Sequence, residues 1–375
     1  MTKPEYLYVH VPFCVRRCSY CDFAVTVASE PPVEAWLDAV TAELGGLMRS
    51  HGWERLRLKT VYVGGGTPSL LGPGALAALG EKLAVHADLT PDVEFTAEAN
   101  PESLTPELAA DWRDAGVNRI SLGVQTFHEP ALRWMGRMHG PAGAVAAVAA
   151  ARRGGIPNVS VDLIFGLPAH LGRDWADDLE RAIALDPAHI SLYGLTAEQE
   201  TPLGRWVRDG REYLADEDRY ADEYLLAVDR LGRAGFEHYE VSNFARPGMR
   251  SRHNSAYWTG EPWIGLGAGA HSYVDGVRWW NDRDWARYRS RVAETRSART
   301  GSEEPETGEG GLERAWLMLR TDTGVAPADL SAAQQQLLED WRRRGWAVAT
   351  GGRVRLTAEG WLLLDRLAVE LDTAT

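Results

Sequence analysis

Short runs dense in Val, Ile, Leu, Tyr and Phe, bounded by Gly, Pro or Asn, recur through the N-terminal half of the chain. Such runs read as strands, and they fall at residues 6–11, 60–63, 93–97, 119–124, 159–165 and 189–193. Between them apolar positions return at helical spacing, over 33–48, 73–85, 105–115, 142–153 and 173–185. Six such repeats predict an α/β fold, a parallel sheet with helical crossovers curled into a (β/α)6 partial TIM barrel or a full one.

The pattern then changes. A helix is expected over 216–234, followed by a Gly- and Trp-rich stretch and by residues 294–311, which are rich in Gly, Ser, Thr and Glu and read as a linker. Residues 312–375 alternate helical segments with a hairpin turning at Gly351-Gly352, the order of a small winged-helix-like domain. The expected division is a core at 1–235, an extension at 236–293, the linker at 294–311 and the C-terminal domain at 312–375.

Composition excludes several functions. With 45% hydrophobic and 25% charged residues in 375, the balance is that of a globular protein. Acidic residues outnumber basic ones 53 to 40, and the C-terminal domain carries 8 basic against 9 acidic side chains. Neither offers the basic face that nucleic acid requires. No run has the length of a spanning helix, and residues 1–13 lack the apolar core and cleavage site of a signal peptide. A cytoplasmic protein is expected.

The three cysteines, Cys14, Cys18 and Cys21, lie within eight residues. An odd, crowded number argues against a disulfide framework. The Cys-x3-Cys-x2-Cys spacing suits a soft metal centre: a [4Fe-4S] cluster held by three thiolates with one iron open, or zinc completed by His10. The other chemistry-bearing residues follow the strands. They are Gly64-Gly65-Gly66-Thr67-Pro68, Glu98-Ala99-Asn100-Pro101, Gln125, Asp162 and Thr196. In a parallel βα sheet these positions share one mouth, where such folds place their sites. The plainer alternatives are a tight strand exit for the glycines, helix caps for Glu98 and Asp162, a surface ion pair for Arg137 and core packing for Tyr8.

The cysteine motif, preceded by Tyr8 and Pro12-Phe13 and followed by Gly64 to Pro68, resembles the radical S-adenosylmethionine superfamily. Glu98-Ala99-Asn100-Pro101, Gly123-Val124-Gln125, Asp162-Leu163-Ile164-Phe165-Gly166-Leu167-Pro168 and Tyr239-Glu240-Val241-Ser242-Asn243-Phe244 narrow the resemblance. It points to the oxygen-independent coproporphyrinogen III oxidase branch and, within it, to the haem chaperone HemW family. The resemblance implies that Cys14, Cys18 and Cys21 hold a [4Fe-4S] cluster and that S-adenosylmethionine chelates its open iron, to be cleaved to a 5′-deoxyadenosyl radical. It places Tyr8, Tyr20, Gly65, Gly66, Thr67, Glu98, Gln125, Arg137, Asp162 and Thr196 around that cofactor.

Two features divide the branch. The oxidases carry a fourth cysteine two positions after the third, where this chain has Phe23, and an N-terminal extension for which a first strand beginning at residue 6 leaves no room. Both departures count against coproporphyrinogen III dehydrogenation, which stays as the alternative. His253-Asn254-Ser255-Ala256-Tyr257-Trp258 matches the chaperone motif, which implies His253 as a holder of haem b, with Arg250 and Arg252 for propionates and Tyr257, Trp258 and Trp263 for the porphyrin face. The plainer reading of His253 is a hydrogen-bonded packing residue. His271, in a Gly-rich stretch, ranks second. The resemblance further implies haem-acceptor proteins as partners and admits a dimer and peripheral contact with membrane complexes.

Overall fold

The computed structural model describes residues 2–303 and 311–374. Its central feature is a twelve-stranded sheet. Six strands come from the repeats: β1 (Tyr6–Val11), β2 (Leu56–Gly65), β3 (Ala87–Ala99), β4 (Arg119–Gln125), β5 (Val159–Phe165) and β6 (His189–Gly194). They pair in parallel, in sequence order. Helices α1 (Val33–Ser50), α2 (Ala75–Leu83), α3 (Pro106–Asp114), α4 (Glu129–Met135), α5 (Pro141–Arg153) and α6 (Trp175–Ala184) lie in the crossovers between them.

Alternation explains which side chains reach the site. In β1, Leu7, Val9 and Val11 are fully buried, so Tyr8 and His10 lie on the other face of the strand. β2 starts earlier than the apolar run suggests because Leu56 and Leu58 alternate with charged Arg57 and Lys59 and are themselves buried. β3 also starts earlier and contains Pro91, next to a register shift in its pairing with β2. A bulge tolerates the missing proline N–H. Glu94, Thr96 and Glu98 then share one face of β3.

The Gly- and Trp-rich extension supplies strands to both flanks. After α7 (Pro202–Arg208) and α8 (Glu217–Arg233), β7 (Glu237–Glu240) and β8 (Asn243–Ala245) add antiparallel beside β6. Past α9 (Arg252–Trp258), β9 (Trp263–Leu266) pairs parallel to β1. β10 (His271–Val274), β11 (Val277–Asn281) and, past α10 (Trp285–Thr295), β12 (Arg299–Glu303) continue antiparallel. The strand order is β12-β11-β10-β9-β1-β2-β3-β4-β5-β6-β8-β7. Among the described residues the sheet is therefore open, in keeping with the partial rather than the closed barrel.

The linker expectation at 294–311 is corrected where it can be seen: α10 runs to Thr295 and β12 occupies Arg299–Glu303, while residues 304–310 lie outside the described residues. β12 pairs with β11, and a Cβ on Gly301 would sit 2.4 Å from the Trp280 ring, so that strand is read from its partner rather than from its own polar sequence. The C-terminal segment comprises α11 (Gly311–Arg320), α12 (Ala332–Arg343), the hairpin β13 (Ala347–Thr350) to β14 (Arg353–Leu356), α13 (Ala358–Trp361) and α14 (Leu364–Thr373). It has its own core, including Leu319, Leu338, Trp341, Leu356 and Leu367. Gly351 and Gly352 turn the hairpin with φ of 59° and 77°.

Candidate functional site

The cysteines lie in the loop after β1. Phe13–Cys14 and Thr26–Val27 form a two-residue parallel ladder that folds this loop back on itself. Ser19 anchors it by donating its N–H to the Met135 carbonyl at 3.0 Å. All three thiols are free and half-buried. Thr67 Oγ1 donates to Cys14 Sγ at 3.3 Å and Arg137 Nη1 to Cys18 Sγ at 3.8 Å. Burial pushes the Cys14 thiol up to about 11, against the Thr67 hydrogen bond, and raises Cys21 as well. A metal centre overcomes such a penalty by displacing the protons.

The donor set separates the two metal readings. Among the described residues no three His, Cys, Asp or Glu side chains stand close enough to hold a single ion. Zinc needs sulfur donors at roughly 2.3 Å from one centre, whereas a cube spreads its three cysteines over separate irons. His10 is 4% exposed, and both its nitrogens are engaged at 2.8 Å: Nε2 donates to the Ala24 carbonyl and Nδ1 accepts from the Tyr8 hydroxyl. Burial lowers His10 to about 4, so it is neutral, which fixes that tautomer. It is not placed to complete a zinc site. Arg137 adds an orphaned donor, a buried Nε beside the cysteines that has no hydrogen-bond partner among the described residues. The residues fit a cluster.

Behind this rim the strand ends form one bonded surface. Glu98 accepts from Tyr62 Oη and from the Gly65 N–H, both at 2.8 Å. Burial raises its carboxyl to about 7 despite those two donors. Gly65 has φ +109°, and a Cβ there would lie 2.3 Å from the His10 ring, so the turn is glycine by necessity. A Cβ on Gly66 would meet the Phe13 carbonyl at 2.6 Å. Arg137 Nη2 donates to Asn100 Oδ1 at 2.8 Å and to the Gly123 carbonyl at 2.6 Å, and Asn100 in turn donates to Thr67. Asp162 accepts from Ser121 at 3.0 Å, and burial raises its carboxyl. Gln125 has φ 69° at a register shift between β4 and β5, a bulge that re-aims its side chain. Tyr20 sits beside Arg137, Cys18 and Cys21, its phenol raised chiefly by burial. Thr196 is exposed in the loop after β6 and makes no hydrogen bond to this set among the described residues.

These contacts answer the plainer alternatives for Glu98, Asp162 and Arg137. Glu98 and Asp162 bond within the sheet rather than capping helices, and Arg137 is enclosed rather than paired at the surface. The sequence does not single out Tyr62 or Ser121, and it names Asn100 only within its strand-end motif. Tyr62 reads as a strand core residue, and nothing in one chain distinguishes a phenol that faces Glu98.

Beyond the mouth a cleft of about 750 Å³ opens between the sheet, α9, β10–β11 and α11. Phe23, Trp258, Trp263, Trp280 and Trp316 give it aromatic walls, and Glu98 reaches it from below. Phe23, where the resembled oxidases carry a cysteine, is 61% exposed. α9 is placed by Glu94, which accepts from the N–H groups of Arg252 and His253 at 2.9 and 3.0 Å, a carboxylate at a helix N-terminus. Ser251 caps the same turn.

This anchoring seats His253 deep in the wall, 1% exposed. Its Nδ1 bonds Thr60 Oγ1 at 2.6 Å, its Nε2 bonds Tyr257 Oη at 2.7 Å, and its ring stacks on Tyr62 at 5.1 Å. Burial lowers it to about 3. Contact with iron requires Thr60 or Tyr257 to let go. Arg250 and Arg252, expected near the cleft, are turned elsewhere: Arg250 pairs with Glu237 and Asp322, and Arg252 pairs with Asp92. The cationic groups that do line the cleft are Arg278 and Arg283.

Comparisons with known proteins agree on the family. The Radical SAM superfamily matches residues 8–182. The heme chaperone HemW of Mycobacterium tuberculosis is 39% identical over 366 residues, covering 97% of this chain and 93% of that protein. The heme chaperone HemW of Bacillus subtilis is 34% identical, covering 95% and 96%. Among solved structures, coproporphyrinogen III oxidase (HemN) from Escherichia coli covers 100% of this chain and 91% of its own with a TM-score of 0.81. At 22% identity that likeness speaks for the fold. No helix among the described residues is long and apolar enough to cross a membrane.

Proposed function

This chain belongs to the radical S-adenosylmethionine superfamily and, within it, to the haem chaperone HemW family, and from that premise we propose that it binds haem b in the cytoplasm and hands it to haem-dependent, including respiratory, proteins. The observation that carries the reading is the aromatic cleft beside the cysteine rim, whose volume of about 750 Å³ lies within the roughly 300–1,000 Å³ of small-ligand sites. Phe23 supports the chaperone over the dehydrogenase, because it turns an apolar ring into the cleft at the position of the oxidases' fourth cysteine.

Cys14, Cys18 and Cys21 hold a [4Fe-4S] cluster in this reading, with S-adenosylmethionine bordered by Tyr8, Tyr20, Gly65, Gly66, Thr67, Glu98, Gln125, Arg137, Asp162 and Thr196. Together the two groups supply one-electron reductive chemistry when bound. The chain's own part is positional. Thr67 and Arg137 donate to Cys14 and Cys18, lessening the charge that three thiolates would build up. Gly65 and Gly66 bring backbone close to the rim, and Glu98 presents an acceptor at the base of the mouth. His253 lends the haem cleft a wall by fixing Tyr257.

An anaerobic assay of the cluster-loaded protein tests the proposal. The expected outcome is haem binding, transfer of haem to an apo acceptor, and no protoporphyrinogen from coproporphyrinogen III. Turnover of coproporphyrinogen without haem transfer overturns it.

A further inference from the structure

We propose that Arg119, sealed beneath the mouth at the start of β4, is a positioning residue for S-adenosylmethionine: its charge keeps Glu98 and Asp162 ready to accept hydrogen bonds from that cofactor. The role rests on the S-adenosylmethionine pocket proposed above and adds to it a residue that acts through two others. Along β4, Ile120, Leu122 and Val124 belong to the apolar core, so alternation turns Arg119 and Ser121 to the face that carries the site. Arg119 is 2% exposed. Among the described residues its guanidinium enters no ion pair and no hydrogen bond, and its Nε is fully enclosed. Thr96, its register partner on β3, likewise has a buried hydroxyl without a partner among those residues. A buried cation with no direct partner is costly. The two carboxylates on neighbouring strands compensate it. Glu98 lies two residues beyond Thr96 on the same face of β3, roughly 7 Å along the strand. Asp162 accepts from Ser121, the next residue on the face that Arg119 shares.

At this range the attraction between unlike charges is screened far less inside a protein than in water. Burial raises the carboxyls of Glu98 and Asp162, Asp162 raises Glu98 further, and Arg119 lowers both. The other titratable groups on this face do not take its place. Tyr8 of β1, Tyr62 of β2, Tyr193 of β6, Tyr239 of β7 and Tyr257 of α9 are phenols that burial keeps protonated. His10 of β1, His189 of β6 and His253 of α9 are imidazoles that burial keeps neutral. Glu94 is committed to the backbone of α9, Glu240 to Arg320, and Arg137 to Asn100 and the Gly123 carbonyl. Of all these groups Arg119 is the cation left to serve the two carboxylates.

Calorimetric titration of S-adenosylmethionine into the anaerobic, cluster-loaded full chain tests the role, repeated from pH 6 to pH 9. Wild-type affinity should rise with pH about a midpoint near 7, where Glu98 titrates. Arg119→Gln should move that midpoint up by about one pH unit, bind roughly fivefold more weakly at pH 7 and approach wild-type affinity by pH 9. A folding defect would not be repaired by raising the pH. Arg119→Lys, which keeps the charge, should hold the midpoint near that of the wild type. An unchanged midpoint in Arg119→Gln, a loss of affinity that persists at pH 9, or an equal shift in Arg119→Lys overturns the assignment. An Arg119→Gln protein that loads no cluster at any pH also overturns it, by making Arg119 a structural residue. Wild-type affinity without pH dependence does the same while leaving the pocket in place. Wild-type protein that binds no S-adenosylmethionine overturns the reading of the pocket itself and this assignment with it.

Discussion

Glu98 sits where burial and function pull against each other. Two donors hold its carboxylate, yet burial raises the group to about 7, so half of it is neutral near physiological pH. An acceptor for the polar groups of S-adenosylmethionine works best ionised. Calorimetric titration of cluster-loaded protein should therefore show affinity for S-adenosylmethionine rising between pH 6 and pH 8. Glu98→Gln should bind more weakly and lose most of that dependence; an unchanged affinity would remove Glu98 from the pocket. Gly65 answers to sterics alone. With φ +109° and the His10 ring 2.3 Å from a would-be Cβ, Gly65→Ala should lower stability by about 2 kcal/mol or more and reduce the iron incorporated, read by thermal melts and metal analysis.

A single carboxylate also joins three elements. Glu43 of α1 accepts from the Gly267 N–H at 2.9 Å, from Asn281 of β11 and from Tyr288 of α10 at 2.6 Å each. It thereby pins the Gly-rich loop between β9 and β10 against the barrel. Burial raises it to about 7 in spite of these donors. The unfolded chain ionises this group near the ordinary carboxylate value, so the folded state binds the extra proton. Its contribution to stability is fully present below about 4.5 and falls by about 1.4 kcal/mol per pH unit up to about 7. Glu43→Gln removes one acceptor and should melt lower at pH 5, but with a flatter loss of stability between pH 5 and pH 7. Parallel slopes for the two proteins would refute the assignment of that titration to Glu43.

The two halves of the molecule meet over one buried ion pair. Arg320 at the end of α11 reaches Glu240 of β7 at 3.0 Å, with side-chain exposures of 12% and 0%. The same guanidinium lies 4.0 Å over Trp258 and 4.7 Å over Trp316, two walls of the cleft. Removing one partner leaves an uncompensated buried charge. Arg320→Met should cost roughly 3–5 kcal/mol, separate the melting of the C-terminal segment from that of the core in calorimetry, and weaken haem binding by loosening Trp258 and Trp316. One cooperative transition at the wild-type temperature would show that the pair does not couple the halves.

Six strands and five of the six crossover helices, all but α4, were legible in the chain because each buries an apolar face of regular period, and β1 and β5 fall where the pattern puts them. The cysteine rim and the strand-end polar residues were legible for a related reason: parallel topology carries every C-terminal strand end to one mouth, whatever the loops do. Tertiary contact decided the rest. β9 and β12 are short or polar and become strands only beside β1 and β11, which complete their hydrogen bonds. His253 and His271, two of the histidines that line the cleft, look alike as letters in a Trp-rich stretch. Only the packing of Thr60, Tyr62 and Tyr257 closes His253 off, and only the face of β10 leaves His271 open, because whether a ring nitrogen is available depends on neighbours far away in the chain.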